Sequence, residues 1–182
     1  SKSSTKMSSE ERTVNPDALL QTKVTSTYRI VDDFLELSDY TNLVNDLLSK
    51  EFDWYHNHDT KLDYLHYFTH TFYTNYGFSS KYANKLNPFI KKINPASFVH
   101  IEATLFSKYD KVIEFAPVAS FEFKHKCMLY FINANDGYTK LPCGTKLFSK
   151  DNRAVFFDVS SPYIDTTCTN DVFRMTMAFN YF

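Results

Sequence analysis

The sequence predicts an α+β domain: two helices in the N-terminal half, then an all-β half of the sandwich, barrel or jelly-roll kind. Three observations carry this. From Ser97 onward, short apolar-alternating stretches recur with turn residues between them. Between Ser38 and Pro95, two stretches carry apolar residues at helical spacing. The composition, with 18 Phe and 13 Tyr against 3 Gly, favours the pleated, half-buried surfaces of strands. At 182 residues the chain is long enough for one compact domain with a core of its own.

Taken in order, residues 1–23 carry few apolar groups and no sustained period, so they are read as a flexible tail. Residues 24–182 are read as a single domain. Thr27–Val31 is a short strand, broken by Asp32-Asp33. Ser38 is placed as a helix N-cap, and Leu43, Val44, Leu47 and Leu48 form the apolar stripe of the helix that follows. Phe52, Trp54 and Tyr55 are expected to pack beneath it. Tyr67–Tyr73 alternates as a strand. Ser79 or Ser80 is placed as the cap of a second helix with Tyr82, Leu86, Phe89 and Ile90 on one face. Pro88 is expected to kink or shorten it, and Asn94-Pro95 to end it. Val99, Ile101, Ala103 and Leu105 then alternate with His100, Glu102, Thr104 and Phe106. Further strands are expected at 112–116, 125–133, 146–148, 153–159 and 172–181, with Asn135-Asp136-Gly137 as a turn.

Charge and cysteine content narrow the function classes. Twenty basic residues against 21 acidic give a net charge of -1, with no electrostatic signature for nucleic acid or an anionic membrane. Three cysteines, Cys127, Cys143 and Cys168, with no CxxC pair, argue against a disulfide framework and a zinc knuckle. They fit a reducing, cytoplasmic setting. No apolar run reaches the ~20 residues of a membrane span, and the polar start of the chain is not a secretory signal. There is no GxSxG, P-loop or GxGxxG. His56 with His58, and His66 with His70, have spacings that could hold a metal, but such pairs are more often surface or hydrogen-bonded histidines. The acidic run Asp32, Asp33, Glu36 and Asp39 reads as a solvated helix approach.

A more specific pattern lies in the tracts from Ile30 onward: Ile30-Val31-Asp32-Asp33-Phe34-Leu35, Phe68–Tyr73, His125–Asn133, Asn135–Leu141, Asn152–Asp158, Thr166–Asn170 and Phe179–Phe182. Together they resemble the small 2-oxoglutarate oxygenase-like proteins of cyanobacterial phages, within the Fe(II)/2-oxoglutarate-dependent oxygenase family. The resemblance implies a double-stranded β-helix, a cupin-like jelly roll, with the N-terminal helices packed on the larger sheet. It also implies a last-strand Arg that grips the cosubstrate carboxylate, and a His-x-Asp…His triad that holds Fe(II). On that pattern Arg174 and Thr176 share a strand face and are expected to bind 2-oxoglutarate or another dicarboxylate, with Tyr130 assisting. The rival reading pairs Arg174 with an internal acid such as Glu102 or Asp158. The triad is absent. Val118 and Ser120 stand where the His-x-Asp motif belongs, and Tyr163 stands for the distal His.

The expected function is therefore a catalytically degenerate oxygenase-like protein, a binding or structural module of phage, virion or host-interacting type. No cofactor and no iron are expected, and the partner is expected to be a protein or a second copy of the chain. Its location is expected to be the cytoplasm or the virion. A filled cavity, plugged by Phe115, Phe121 and Tyr163, goes with this reading. The alternatives are an active oxygenase with unusual ligands, such as Tyr163 with Glu122 or His125, and a metal-free dicarboxylate sensor.

Overall fold

The computed structural model describes residues 27–118, 121–159 and 161–182. The expected tail at 1–23 and Ser120 lie outside the described residues. Two antiparallel sheets face one another. Strands β1 (Tyr28–Val31), β2 (Tyr55–His58), β3 (His66–Thr74), β4 (Gly77–Phe78), β5 (Phe98–Ser107), β6 (His125–Phe131), β9 (Arg153–Val159) and β11 (Phe173–Tyr181) form the larger sheet. Its order is β1-β9-β6-β11-β5-β3-β2, with β4 paired to β3. The smaller sheet runs β10-β7-β8 and is built from β7 (Tyr138–Lys140), β8 (Lys146–Phe148) and β10 (Ile164–Asp165). This is the jelly-roll arrangement.

Helices α1 (Leu37–Leu47) and α2 (Asn87–Ile93) cover the outer face of the larger sheet. The period-2 alternation of the central strands decides which side chains they meet. Met128, Tyr130 and Ile132 of β6 and its exit, Met175, Met177 and Phe179 of β11, and Ile101 and Ala103 of β5 point to the helices. Leu43 and Leu47 of α1 and Phe89 of α2 pack against that face. Phe89 is fully buried, its ring centroid 4.9 Å from that of Tyr130 and 4.7 Å from that of Phe179. The alternate residues Cys127, Leu129 and Phe131 face inward, toward Leu141, Leu147 and Tyr163.

The differences from the sequence reading are local. Helix α1 is capped at Glu36 rather than Ser38, with no side-chain cap bond. Pro88 does not kink a longer helix. A short 3-10 turn over Ala83–Leu86 comes first, and Pro88 then sits in the first turn of α2, where its missing N–H costs nothing. Asn94 ends α2 in the left-handed region at φ 47°, as the Asn94-Pro95 signal implies. The strand expected at 112–116 is a segment with one isolated bridge, Glu114 to Thr166, tied on by backbone bonds from Phe115 to Asp165 and from Thr167 to Ile113. Tyr55 opens β2 and is 62% exposed instead of packing under α1, whereas Phe52 is in the core. The trp indole does approach α1: Trp54 Nε1 donates to the Leu47 carbonyl at 3.1 Å.

Candidate functional site: a cavity between the sheets

The register of β11 against β5 builds one wall of the site. Thr176 lies opposite Thr104, Ala178 opposite Glu102 and Asn180 opposite His100. All six line a cavity of about 480 Å³ between the sheets. Strand β6 adds His125 and Leu129, β3 adds Tyr67, and the smaller sheet adds Asp165. The segment 115–118 closes one side, with Val118 and Phe121 at the mouth, 38% and 39% exposed. Phe115, Phe121 and Tyr163, expected as plugs, line this cavity but leave it open.

Val118 and Tyr163, the residues the sequence places at metal-ligand positions, are neighbours through the backbone. The Val118 N–H donates to the Tyr163 carbonyl at 2.8 Å, and both residues line the cavity. These residues do not fit an iron ion. Valine offers no donor atom. Burial first, and then nearby Cys127, Asp165 and Glu102, push the Tyr163 pKa well above its ordinary value, so its phenol stays protonated. His125 is engaged through Nδ1 with the Phe123 carbonyl and through Nε2 with Asn180 Oδ1, each at 3.0 Å. Glu122 is exposed and outside the cavity lining. Among the described residues there is no group of three or more His, Cys, Asp or Glu side chains placed to hold a metal ion.

Arg174 is fully buried, and its whole fork is used from within. Nη1 donates to Asp165 Oδ1 at 3.0 Å and to the Thr166 carbonyl at 3.3 Å. Nη2 donates to Thr139 Oγ1 at 2.7 Å and Nε to Ser149 Oγ at 2.8 Å. Thr139 in turn donates to the same Asp165 oxygen at 2.5 Å. The guanidinium carbon lies 5.2 Å from the Phe106 ring centroid and 5.6 Å from that of Phe131. Burial lowers the Arg174 pKa, and the Asp165 carboxylate opposes that shift. Gly137, read as a turn residue, has a second role. A Cβ there would meet Arg174 Cδ at 2.5 Å and the Thr167 carbonyl at 2.7 Å, so glycine makes room for the buried arginine.

The internal acid is thus Asp165, not Glu102 or Asp158. Glu102 accepts instead from Thr71 Oγ1 at 3.0 Å, and Asp158 is an exposed residue of β9. Thr176 lines the cavity, as its strand face implies. Tyr130 does not: it alternates with Leu129 and Phe131 and therefore points to the helix layer. There its hydroxyl donates to Asn152 Oδ1 at 2.7 Å, and Asn152 also bonds the Leu35 backbone in both directions. Tyr130→Phe is accordingly expected to cost about 1 kcal/mol in denaturant unfolding and to leave any binding in the cavity unchanged.

Asp59 had no sequence signal for a place in the site. Its Oδ1 accepts from the Lys61 and Leu62 N–H groups, and its Oδ2 from Ala116 at 2.6 Å, which ties the β2–β3 connection to the cavity wall. Burial would raise its pKa, but these backbone donors outweigh burial and hold it below the ordinary value. The remaining histidine candidates are accounted for elsewhere. His56 Nε2 and His66 Nδ1 meet at 3.0 Å on an exposed face, His58 is exposed at the end of β2 opposite His66, and His70 is buried between the Asp53 carbonyl and Ser80 Oγ.

No protein-family model matches the chain, and no curated protein matches it. Solved structures do. Viral collagen prolyl hydroxylase vCPH from Paramecium Bursaria Chlorella virus-1 aligns over 97% of each chain at 13% identity with a TM-score of 0.52. A prolyl hydroxylase from Trichoplax adhaerens, in complex with a hypoxia inducible factor peptide, aligns over 87% of this chain and 84% of its own. Its identity is 10% and its TM-score 0.64. A Pseudomonas putida prolyl-4-hydroxylase aligns over 91% and 97%, at 8% identity and a TM-score of 0.61. The chain therefore has the double-stranded β-helix fold of the 2OG-Fe(II) oxygenases, prolyl hydroxylases among them.

Proposed function

We propose that this chain is a binding module on an oxygenase scaffold that neither holds iron nor turns over 2-oxoglutarate. One observation carries the reading: the arginine that should grip a cosubstrate carboxylate is fully buried and already grips Asp165. A built-in carboxylate competes intramolecularly, at a high effective concentration, with one arriving from solution. The triad positions support it, since Val118 cannot ligate and Tyr163 is held as a neutral phenol. A site with those residues also argues against the metal-free dicarboxylate sensor, because the charge such a sensor needs is neutralised. The cavity remains open, so the module keeps a place for an occupant, with a protein or a second copy of the chain as the partner proposed.

The test is an anaerobic calorimetric titration of metal-stripped protein with 2-oxoglutarate, alone and with Mn(II). No binding is expected in either condition. Binding that needs Mn(II), or succinate formation with Fe(II), would replace this reading with an active oxygenase. Binding without metal would replace it with the sensor.

A further inference from the structure

We propose that the cavity binds an alkylammonium group, as a free amine or as a lysine side chain, a reading that rests on the loss of 2-oxoglutarate binding proposed above. The lining includes three carboxylates, Asp59, Glu102 and Asp165, and two of them keep an oxygen free of hydrogen bonds. Asp165 is 5% exposed, and both bonds to its carboxylate fall on Oδ1. Among the described residues Oδ2 makes no hydrogen bond, yet it is not sealed from the cavity. Glu102 likewise spends only Oε2, on Thr71 and on His100 at 3.6 Å.

Tyr163 and Thr176 add hydroxyls to the same wall. The two residues are 7% and 2% exposed, both line the cavity, and their hydroxyls are open to it rather than spent on hydrogen bonds among the described residues. Hydroxyl and carboxylate oxygens that open on one cavity are available to an incoming donor. An ammonium group has three donors and no acceptor, which complements this wall. A carboxylate would face like charge from Glu102 and Asp59.

The surrounding charge agrees. Arg174 does not line the cavity and is paired with Asp165, so Asp59 and Glu102 are the other two carboxylates on the lining. His100 and His125 are the basic groups that share the wall. Burial, and after it Glu102 and Asp59, push the Tyr67 phenol upward, as a negative field does. Tyr67 and Phe121 add aromatic rings to the lining, a residue class that attracts cations. A volume of about 480 Å³ takes a small organic ligand or one long side chain.

The experiment titrates the full chain with 1,4-diaminobutane, with N-acetyl-lysine methylamide, and with 1,4-butanediol as the uncharged analogue. Saturable binding of the amines and none of the diol is expected. Tighter binding of the blocked lysine assigns the site to a protein side chain, and tighter binding of the diamine to a free amine. Glu102→Gln keeps the shape and can still accept from Thr71, so its thermal midpoint should match wild type. Its amine affinity should fall at least about tenfold, the loss of one charge-assisted bond. Absence of saturable amine binding up to about 10 mM, or amine affinity unchanged in Glu102→Gln, overturns the inference. If 2-oxoglutarate also fails to bind with Mn(II), that result leaves the module reading standing. Mn(II)-dependent 2-oxoglutarate binding overturns the module reading itself, whatever the amines do.

Discussion

Replacing Arg174 with Ala is expected to lower the unfolding free energy by about 3–5 kcal/mol, the cost of breaking a buried charge pair and stranding one partner. The size follows from what is left behind. Asp165 would keep only the Thr139 hydroxyl on its charged carboxylate, and Ser149 Oγ and the Thr166 carbonyl would each lose their donor. The packing of the side-chain stem against Gly137, and of the guanidinium over Phe106 and Phe131, would go too. Denaturant unfolding reads the effect directly. An arginine kept for an incoming carboxylate predicts a different result: little change in stability and a complete loss of ligand binding. A cost below about 1 kcal/mol, the range of a surface ion pair, would therefore return Arg174 to a ligand role. A double-mutant cycle with Asp165→Ala isolates the pair, and its coupling should be large because the two side chains touch.

How much of this was legible in the sequence depends on the range of the interactions. The alternation of Val99–Phe106 and of the last strand says which residues share a face, and so puts Arg174, Thr176, Ala178 and Asn180 on one side of their strand. That rule needs only the two-residue period of a strand. Tyr130 obeys the same rule: it shares parity with Met128 and Ile132, not with Leu129. Without the register of β6 against β11, nothing in the sequence says which parity faces the helices. The small sheet was harder still. Strands β7, β8 and β10 run two or three residues each, too short to show a period, and two of them went unread. Asp165 lies on one of those two. Its pairing opposite Thr139 is what brings an acid and a hydroxyl together over the guanidinium. Asp59 reaches Ala116 across 57 residues of chain, a contact no local pattern encodes.

Asp165→Ala carries the second large effect, and it separates a filled carboxylate grip from a lost one. The variant leaves a buried guanidinium without a counter-charge, so a loss of about 3–5 kcal/mol is again expected. Here the deficit is open to repair from solution. Asp165 lines the cavity, so truncating it joins the space beside Arg174 Nη1 to a volume that solutes enter. Succinate or 2-oxoglutarate could then place a carboxylate where the aspartate had been, with Thr139 and Thr176 beside it. Ligand that binds only the folded state stabilises by about 2.7 kcal/mol at a hundred times its dissociation constant. Thermal unfolding of Asp165→Ala should therefore rise with added dicarboxylate and stay unmoved by the neutral diamide. Wild type, whose own carboxylate fills the grip, should respond to neither. Equal stabilisation of wild type and variant would place the dicarboxylate elsewhere on the protein. Wild-type stabilisation that exceeds the variant's would show that Asp165 yields to ligand, and Arg174 would then be a carboxylate-binding residue.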